Sequence, residues 1–190
     1  MSDNRVADPT NHFVNQRGTE DGAAVIAGLD PLGYPRETQT NINGDLYETV
    51  RVFKTDLMPI PGIGTGAAYA AADAFGTKFA FNVPVEGTIA NIIFHDFDDE
   101  GLVKEFVLFN ADFTGTADNS AFAVTDDDLR KCIGVVIVND YKNYGVNQLG
   151  QGTPALTYVA PAGQLWCQVV TQGADNIAAG SIPEFFMVIV

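Results

Sequence analysis

The sequence predicts an all-β protein, in which two packed sheets form a β-sandwich domain and an extended N-terminal arm precedes it. From Tyr47 onward the apolar residues fall into short segments of strand length, separated by Gly, Pro, Asn and Asp turns. This pattern is typical of a sandwich or a barrel. Hydrophobic residues make up 46% of the 190-residue chain and aromatic residues 11%, which is enough apolar surface for one buried core.

Residues 1–46 form the predicted arm. They are rich in Asn, Asp, Gly, Thr and Pro, and their 3 basic and 7 acidic residues give a net charge of −4. We predict that the apolar side chains spaced along the arm anchor it to a partner or a neighbouring subunit; they are Phe13, Val14, Ile26, Leu29 and Tyr34. Two alternatives stay open: the arm folds back on its own domain, or it frays as many termini do.

Residues 47–190 form the predicted sandwich domain. In the segment TKFAFNV, Phe79, Phe81 and Val83 alternate with other residues and so face one side of a strand. One helical turn is expected at 125–132, with Thr125 or Asp126 as its cap. The predicted strands lie at 47–54, 77–83, 86–95, 102–110, 133–139, 155–160, 164–171 and 184–190.

The net charge of −14, from 24 acidic and 10 basic residues, argues against nucleic acid as a partner. Nucleic-acid binders present a basic stripe, whereas the longest basic run here is the pair Arg130 and Lys131. The apolar runs are far shorter than the ~20 residues of a membrane-spanning helix. The first residues, Met1 to Gln16, lack the pattern of a secretory signal, so we expect synthesis in a cytoplasm and no membrane partner.

The inventory of reactive side chains predicts no enzyme and no cofactor. His12 and His95 are the only histidines, and no nucleophile motif lies beside either of them. The glycines at 62, 64 and 66 do not have the spacing of a dinucleotide-binding loop. Cys132 and Cys167 both lie in apolar runs, which favours two free thiols over a disulfide.

The segment from His95 to Gly101 is the most acidic cluster in the sequence. Asp96, Asp98 and Glu100 have the alternate spacing that suits Ca²⁺ or Mg²⁺, but the position of a distal acidic ligand holds Val107. We therefore expect a solvated hairpin turn without a metal, and cation binding is the alternative.

Residues 69–139 resemble a known family. The segments occur in the order YAAADAFG (69–76), GTIANII (87–93), EFVLFNA (105–111), ADNSAF (117–122), TDDDL (125–129) and IGVV (133–136). In this order they are similar to small structural proteins, of the decoration or cement type, encoded among the head genes of tailed bacteriophages. The similarity covers somewhat over a third of the chain and excludes the arm.

The resemblance implies a virion protein with a jelly-roll-like β-sandwich, often a homotrimer, on the outer surface of the capsid. Its partners would be the major capsid protein and itself, and it would brace neighbouring capsid subunits. The resemblance does not fix a place in the head, neck or tail. The alternative is a tail- or fibre-associated host-recognition module, in which Trp166 and Tyr158 stack on a surface glycan; a surface hydrolase is a third option.

Overall fold

The computed structural model describes residues 52–190 and, by their backbone alone, four short earlier strands. The chain divides into two compact units, Met1–Val50 and Arg51–Val190, whereas the sequence predicted the boundary at 46/47. In the first unit two antiparallel pairs form, β1 with β2 and β3 with β4. Their bounds are β1 (Val6–Ala7), β2 (Phe13–Val14), β3 (Ala27–Leu29) and β4 (Pro35–Glu37).

The second unit consists of two antiparallel sheets. Its strands, in chain order, are β5 (Phe53–Lys54), β6 (Met58–Pro59), β7 (Ala74–Asn82), β8 (Glu86–Asp96), β9 (Lys104–Phe109), β10 (Cys132–Val138), β11 (Asp140–Asn143), β12 (Gln148–Gly152), β13 (Leu156–Val159), β14 (Gln164–Thr171) and β15 (Glu184–Ile189). One sheet has four strands in the order β10-β9-β14-β7. The other has seven, in the order β11-β12-β8-β15-β5, with β13 also paired to β8 and β6 to β15.

The main core lies between the two sheets. Along β15 every second side chain faces inward, so Phe185, Met187 and Ile189 are at most 1% exposed. The Phe185 ring lies 5.0 Å from Phe106 of the four-stranded sheet and 5.5 Å from Phe79 of the same sheet. These aromatic contacts join the two sheets, and the predicted all-β sandwich is confirmed.

A second, smaller core covers the outer face of the four-stranded sheet. The segment between β9 and the helix α1 (Asp126–Leu129) crosses this face and places Phe113 in a stack 3.9 Å from Phe109. Gln168 is fully buried beneath the segment, where its amide donates to the carbonyl of Thr116 and accepts from the Thr116 N–H. Because apolar side chains are covered on both faces, β9 is almost entirely buried.

The predicted elements agree with the structure except at three strands that the sequence analysis missed. Strands were predicted at seven places where β7–β10 and β13–β15 are found, and β5 lies at the end of predicted strand 47–54. Strands β6, β11 and β12 were missed. The helical turn is confirmed, with Thr125 as its cap. Among the described residues, none belongs to a helix that is long and apolar enough to span a bilayer.

The predicted hairpin turn at 95–101 is wrong. Strands β8 and β9 flank this segment but belong to different sheets, so the chain crosses from one layer to the other. The segment is a corner of the sandwich. A sequence pattern of strand, acidic turn and strand does not distinguish a hairpin from such a crossing, because both place polar residues between apolar runs.

Candidate functional site

The carboxylates of the corner bind backbone amides. Asp96 is 3% exposed and accepts from the N–H groups of Asp98 (3.0 Å) and Gly101 (2.8 Å). Asp98 accepts from the N–H of Ala178 at 2.7 Å, and Glu100 accepts from the N–H of Asn176 at 3.1 Å. The corner therefore holds the loop between β14 and β15 in place.

These hydrogen bonds engage both oxygens of Asp96 and one oxygen each of Asp98 and Glu100. Within residues 52–190, no group of three or more His, Cys, Asp or Glu side chains is arranged to hold a metal ion. Burial raises the pKa of Glu100, and the nearby Asp175, Asp98 and Asp96 raise it further. The cluster that the sequence analysis considered for Ca²⁺ thus has a structural role at the corner.

The tip of the β11–β12 hairpin lies on the same corner and is braced by it. The Asn143 amide donates to the Asp99 carboxylate at 2.6 Å, and the Gln148 amide donates to the Asp99 carbonyl at 3.1 Å. Within the tip, the Tyr144 N–H donates to the Asn147 carbonyl at 2.8 Å. These contacts fix the backbone of the tip relative to the corner.

This braced tip presents apolar side chains to solvent. Tyr144 is 67% exposed and Val146 is 76% exposed, and Phe97 of the corner is 38% exposed. We name these three residues the corner surface. The partly buried Asp98, Asp99 and Glu100 follow Phe97 directly in the corner and place negative charge beside this surface. An apolar centre with a charged rim is the arrangement of a protein-binding patch.

A separate opening of about 500 Å³ lies beside α1 and contains two lysines. Lys78 donates to the Asp112 carboxylate at 2.6 Å, and its ammonium lies 5.1 Å from the centre of the Trp166 ring. Lys131 donates to the carbonyl of Asp112 and to the Asp128 carboxylate. Both lysines are thus engaged within the protein, and they hold the segment between β9 and α1 against the four-stranded sheet.

We expect the Asp128 carboxylate to make the stability of this region depend on pH. Its hydrogen bond from Lys131, together with that from the Thr114 N–H, lowers the pKa of Asp128 to about 2. An aspartate in an unfolded chain has a pKa of about 3.9. Because the folded pKa is lower, the stabilising contribution is complete above about pH 4 and is lost as the pH falls towards about 2.

The test compares urea unfolding of the protein and of Asp128→Asn at several pH values. The difference in the free energy of unfolding is expected to be constant at neutral pH and to shrink between about pH 4 and pH 2. Asp127→Asn is the control, because the Asp127 side chain is 88% exposed. A difference for Asp128→Asn that does not change with pH would contradict this assignment.

Beneath the corner, Lys104 and Asp175 form a fully buried ion pair. Each side chain is 1% exposed, and the Nζ–Oδ1 distance is 2.8 Å. Burial lowers the pKa of Lys104, and Asp175 opposes this effect. The Thr171 hydroxyl donates to the second carboxylate oxygen of Asp175. Sequence analysis missed this pair because its members are 71 positions apart.

The predicted arm anchors are only partly described. Phe13 and Val14 form strand β2, and Leu29 ends strand β3. Ile26 and Tyr34 lie outside the described residues. The anchoring role of all five stays a prediction.

Of the two aromatic residues considered for glycan stacking, one is buried and the other is partly covered. Tyr158 is 3% exposed within the main core, and its buried hydroxyl has no hydrogen-bond partner. Trp166 is half-buried in the smaller core, under Lys78. Both cysteines are free thiols; Cys167 is buried and Cys132 is half-buried.

Comparison of the chain with family models, with curated proteins and with solved structures gives no match in any of the three. The resemblance to phage structural proteins therefore stays a prediction from the sequence.

Proposed function

We propose that this protein is a virion structural protein, which decorates the outer surface of a phage head and braces neighbouring capsid subunits. Its partners under this proposal are the major capsid protein and further copies of itself in a homotrimer. The observation that carries the proposal is the corner surface, Phe97, Tyr144 and Val146, which presents apolar side chains on a braced backbone.

The strand order supports the finer assignment of a jelly roll. One sheet contains β5, β15, β8 and β12 as neighbours, and the other contains β7, β14, β9 and β10. The chain therefore passes repeatedly between the sheets, as it does in two interleaved Greek keys. Jelly rolls occur in viral capsid proteins but also in lectins and cupins, so this order is compatible with the proposal without selecting it.

The corner surface is suited to binding a protein. Side chains on a braced backbone lose little conformational entropy when a partner covers them, so more of the contact energy remains as affinity. Tyrosine is enriched among the residues that dominate protein interfaces. The carboxylates beside the corner surface favour a partner patch with an apolar pocket and a basic rim.

The charge of the domain supports a position outside the shell. Residues 52–190 contain 16 acidic and 6 basic residues, a net charge of −10. Such a surface repels the phosphates of a packaged genome and keeps a protein soluble at high copy number.

The described positions of Trp166 and Tyr158 give no support to the glycan-binding alternative.

We expect the double variant Tyr144→Ser, Val146→Ser to bind particles that lack the protein at least about tenfold more weakly than the unchanged chain does. A tenfold loss corresponds to about 1.4 kcal/mol of binding free energy. Truncating two contact residues at the centre of an interface readily costs more than this. The measurement is co-sedimentation of the protein with purified particles over a range of concentrations.

The matched control is Val85→Ser, Val159→Ser. These valines are 54% and 58% exposed. Val159 pairs with Glu86, the first residue of β8, and Val85 directly precedes Glu86. Both valines therefore lie at the opposite end of β8 from the corner. Their replacement is expected to leave binding unchanged. Equal binding by the two double variants would refute the role of the corner surface.

A further inference from the structure

The ion pair of Lys104 and Asp175 lies in an apolar environment. Lys104 is on β9, and Asp175 follows β14, the neighbouring strand. The Lys104 ammonium lies 5.0 Å from the ring centre of Phe75 and 5.8 Å from that of Phe94. With each side chain 1% exposed, water is excluded from both groups.

Both groups are held in one arrangement. Lys104 donates to the carbonyl of Leu102 and to Oδ1 of Asp175, each at 2.8 Å. The Thr171 hydroxyl binds the other oxygen, Oδ2, and the Asp175 carbonyl accepts from the N–H of Tyr69 at 2.8 Å. The amine nitrogen is therefore fixed against the carboxyl group, which removes most of the entropic cost of a reaction between them.

Burial also favours the uncharged form of the Lys104 amine. Removing an ammonium and a carboxylate from water costs several kcal/mol per ion, and their mutual attraction only partly offsets this cost. Burial lowers the pKa of Lys104, so the neutral, nucleophilic amine forms more readily. Glu100 accepts from the N–H of Asn176, the residue after Asp175, and its pKa is raised by burial.

We propose that Lys104 and Asp175 join in an intramolecular isopeptide bond. One ammonium proton passes to the carboxylate, the neutral Nζ attacks Cγ of Asp175, and a new C–N bond forms. The C–Oδ2 bond then breaks, and Oδ2 leaves as water. Overall one ammonium and one carboxylate give one amide and one water molecule, so no oxidant, reductant or further reactant is required.

The neighbouring residues have defined roles in this step. Thr171 hydrogen-bonds to Oδ2, the oxygen that leaves, and so orients the carboxyl group. Glu100 accepts from the N–H of Asn176 and so holds the backbone next to Asp175. The product amide retains an N–H that can donate to the carbonyl of Leu102, and neither buried charge remains.

The bond would tie β9 covalently to the loop that follows β14, across 71 positions of sequence. A closed loop of this length restricts the unfolded chain strongly. The inference concerns the sandwich alone and does not depend on the proposed virion role.

The test is the intact mass of the purified, denatured full-length protein, compared with the mass of its sequence. The expected mass is lower by one water molecule, about 18 Da, and a proteolytic digest is expected to contain one branched peptide joining Lys104 to Asp175. Lys104→Met is expected to have the full mass of its sequence. Any processing common to both proteins cancels in this comparison.

Lys142→Met is the control, because Lys142 lies on the exposed strand β11 and should leave the mass deficit unchanged. A wild-type mass equal to that of the sequence, or a deficit that persists in Lys104→Met, would overturn the proposal. Neither result bears on particle binding, so the two proposals fail independently.

Discussion

Replacement of Asp175 by alanine is expected to lower the free energy of unfolding by about 3–5 kcal/mol, because the Lys104 charge then stays buried without a partner. Lys104 is 1% exposed, so solvent does not screen the unpaired ammonium. The same variant removes the hydrogen bond of Thr171 and, with it, the cross-link proposed above. Urea unfolding followed by circular dichroism measures the loss.

Two further variants separate the charge effect from other causes. Asp127→Ala makes the same chemical change at a side chain that is 88% exposed and paired with Arg130, and we expect little change in stability. The double variant Lys104→Met, Asp175→Ala removes both charges and is expected to be more stable than Asp175→Ala. A double variant that is less stable than the single one would show that an unpaired charge is not the main cost.

Phe185→Ala is the second large effect that we expect, a loss of about 3–5 kcal/mol in the free energy of unfolding. The Phe185 side chain is fully buried and packs against Phe79, Phe81 and Phe106 of the opposite sheet. Truncation leaves a cavity at the centre of the main core, where four aromatic rings meet. Chemical denaturation of the two proteins gives the difference directly.

The neighbouring residue is the matched control. Phe186 follows Phe185 on β15 but faces outward, where the Lys54 ammonium lies 4.1 Å from its ring centre. Because Phe186 is only partly buried, Phe186→Ala is expected to cost much less. Equal losses for the two variants would contradict the inward and outward assignment of β15.

The strands that sequence analysis predicted well are those whose own residues have the apolar pattern of a buried strand. Strands β7, β8, β14 and β15 are rich in aromatic and β-branched residues, and the core residues Phe81 and Phe185 lie within predicted strands. Their burial follows from local pattern, because a strand with one apolar face is stable only when that face is covered. The sandwich could therefore be predicted without knowledge of its strand order.

Strands β11 and β12 were missed because they form only by pairing with neighbouring strands. The sequences DYKN and QLGQG of β11 and β12 have little strand propensity, and they form strands by pairing in succession onto β8. Gly152 is the last residue of β12. A Cβ there would lie 2.5 Å from the carbonyl oxygen of Ile137, so glycine permits the close approach of β10.

The candidate sites were harder to predict because they join distant parts of the chain. Lys104 lies in the apolar segment LVKEFVLF, and its partner there is the buried and distant Asp175. The corner surface combines Phe97 with a hairpin tip that begins more than 40 positions later. No local pattern reports such contacts, since they arise only when the two sheets pack.

The most direct test of the proposed function is electron microscopy of purified phage particles labelled with an antibody against this protein. The account predicts label over the outer surface of the head, at many copies per particle. Label confined to the tail tip, or particles without label, would contradict it.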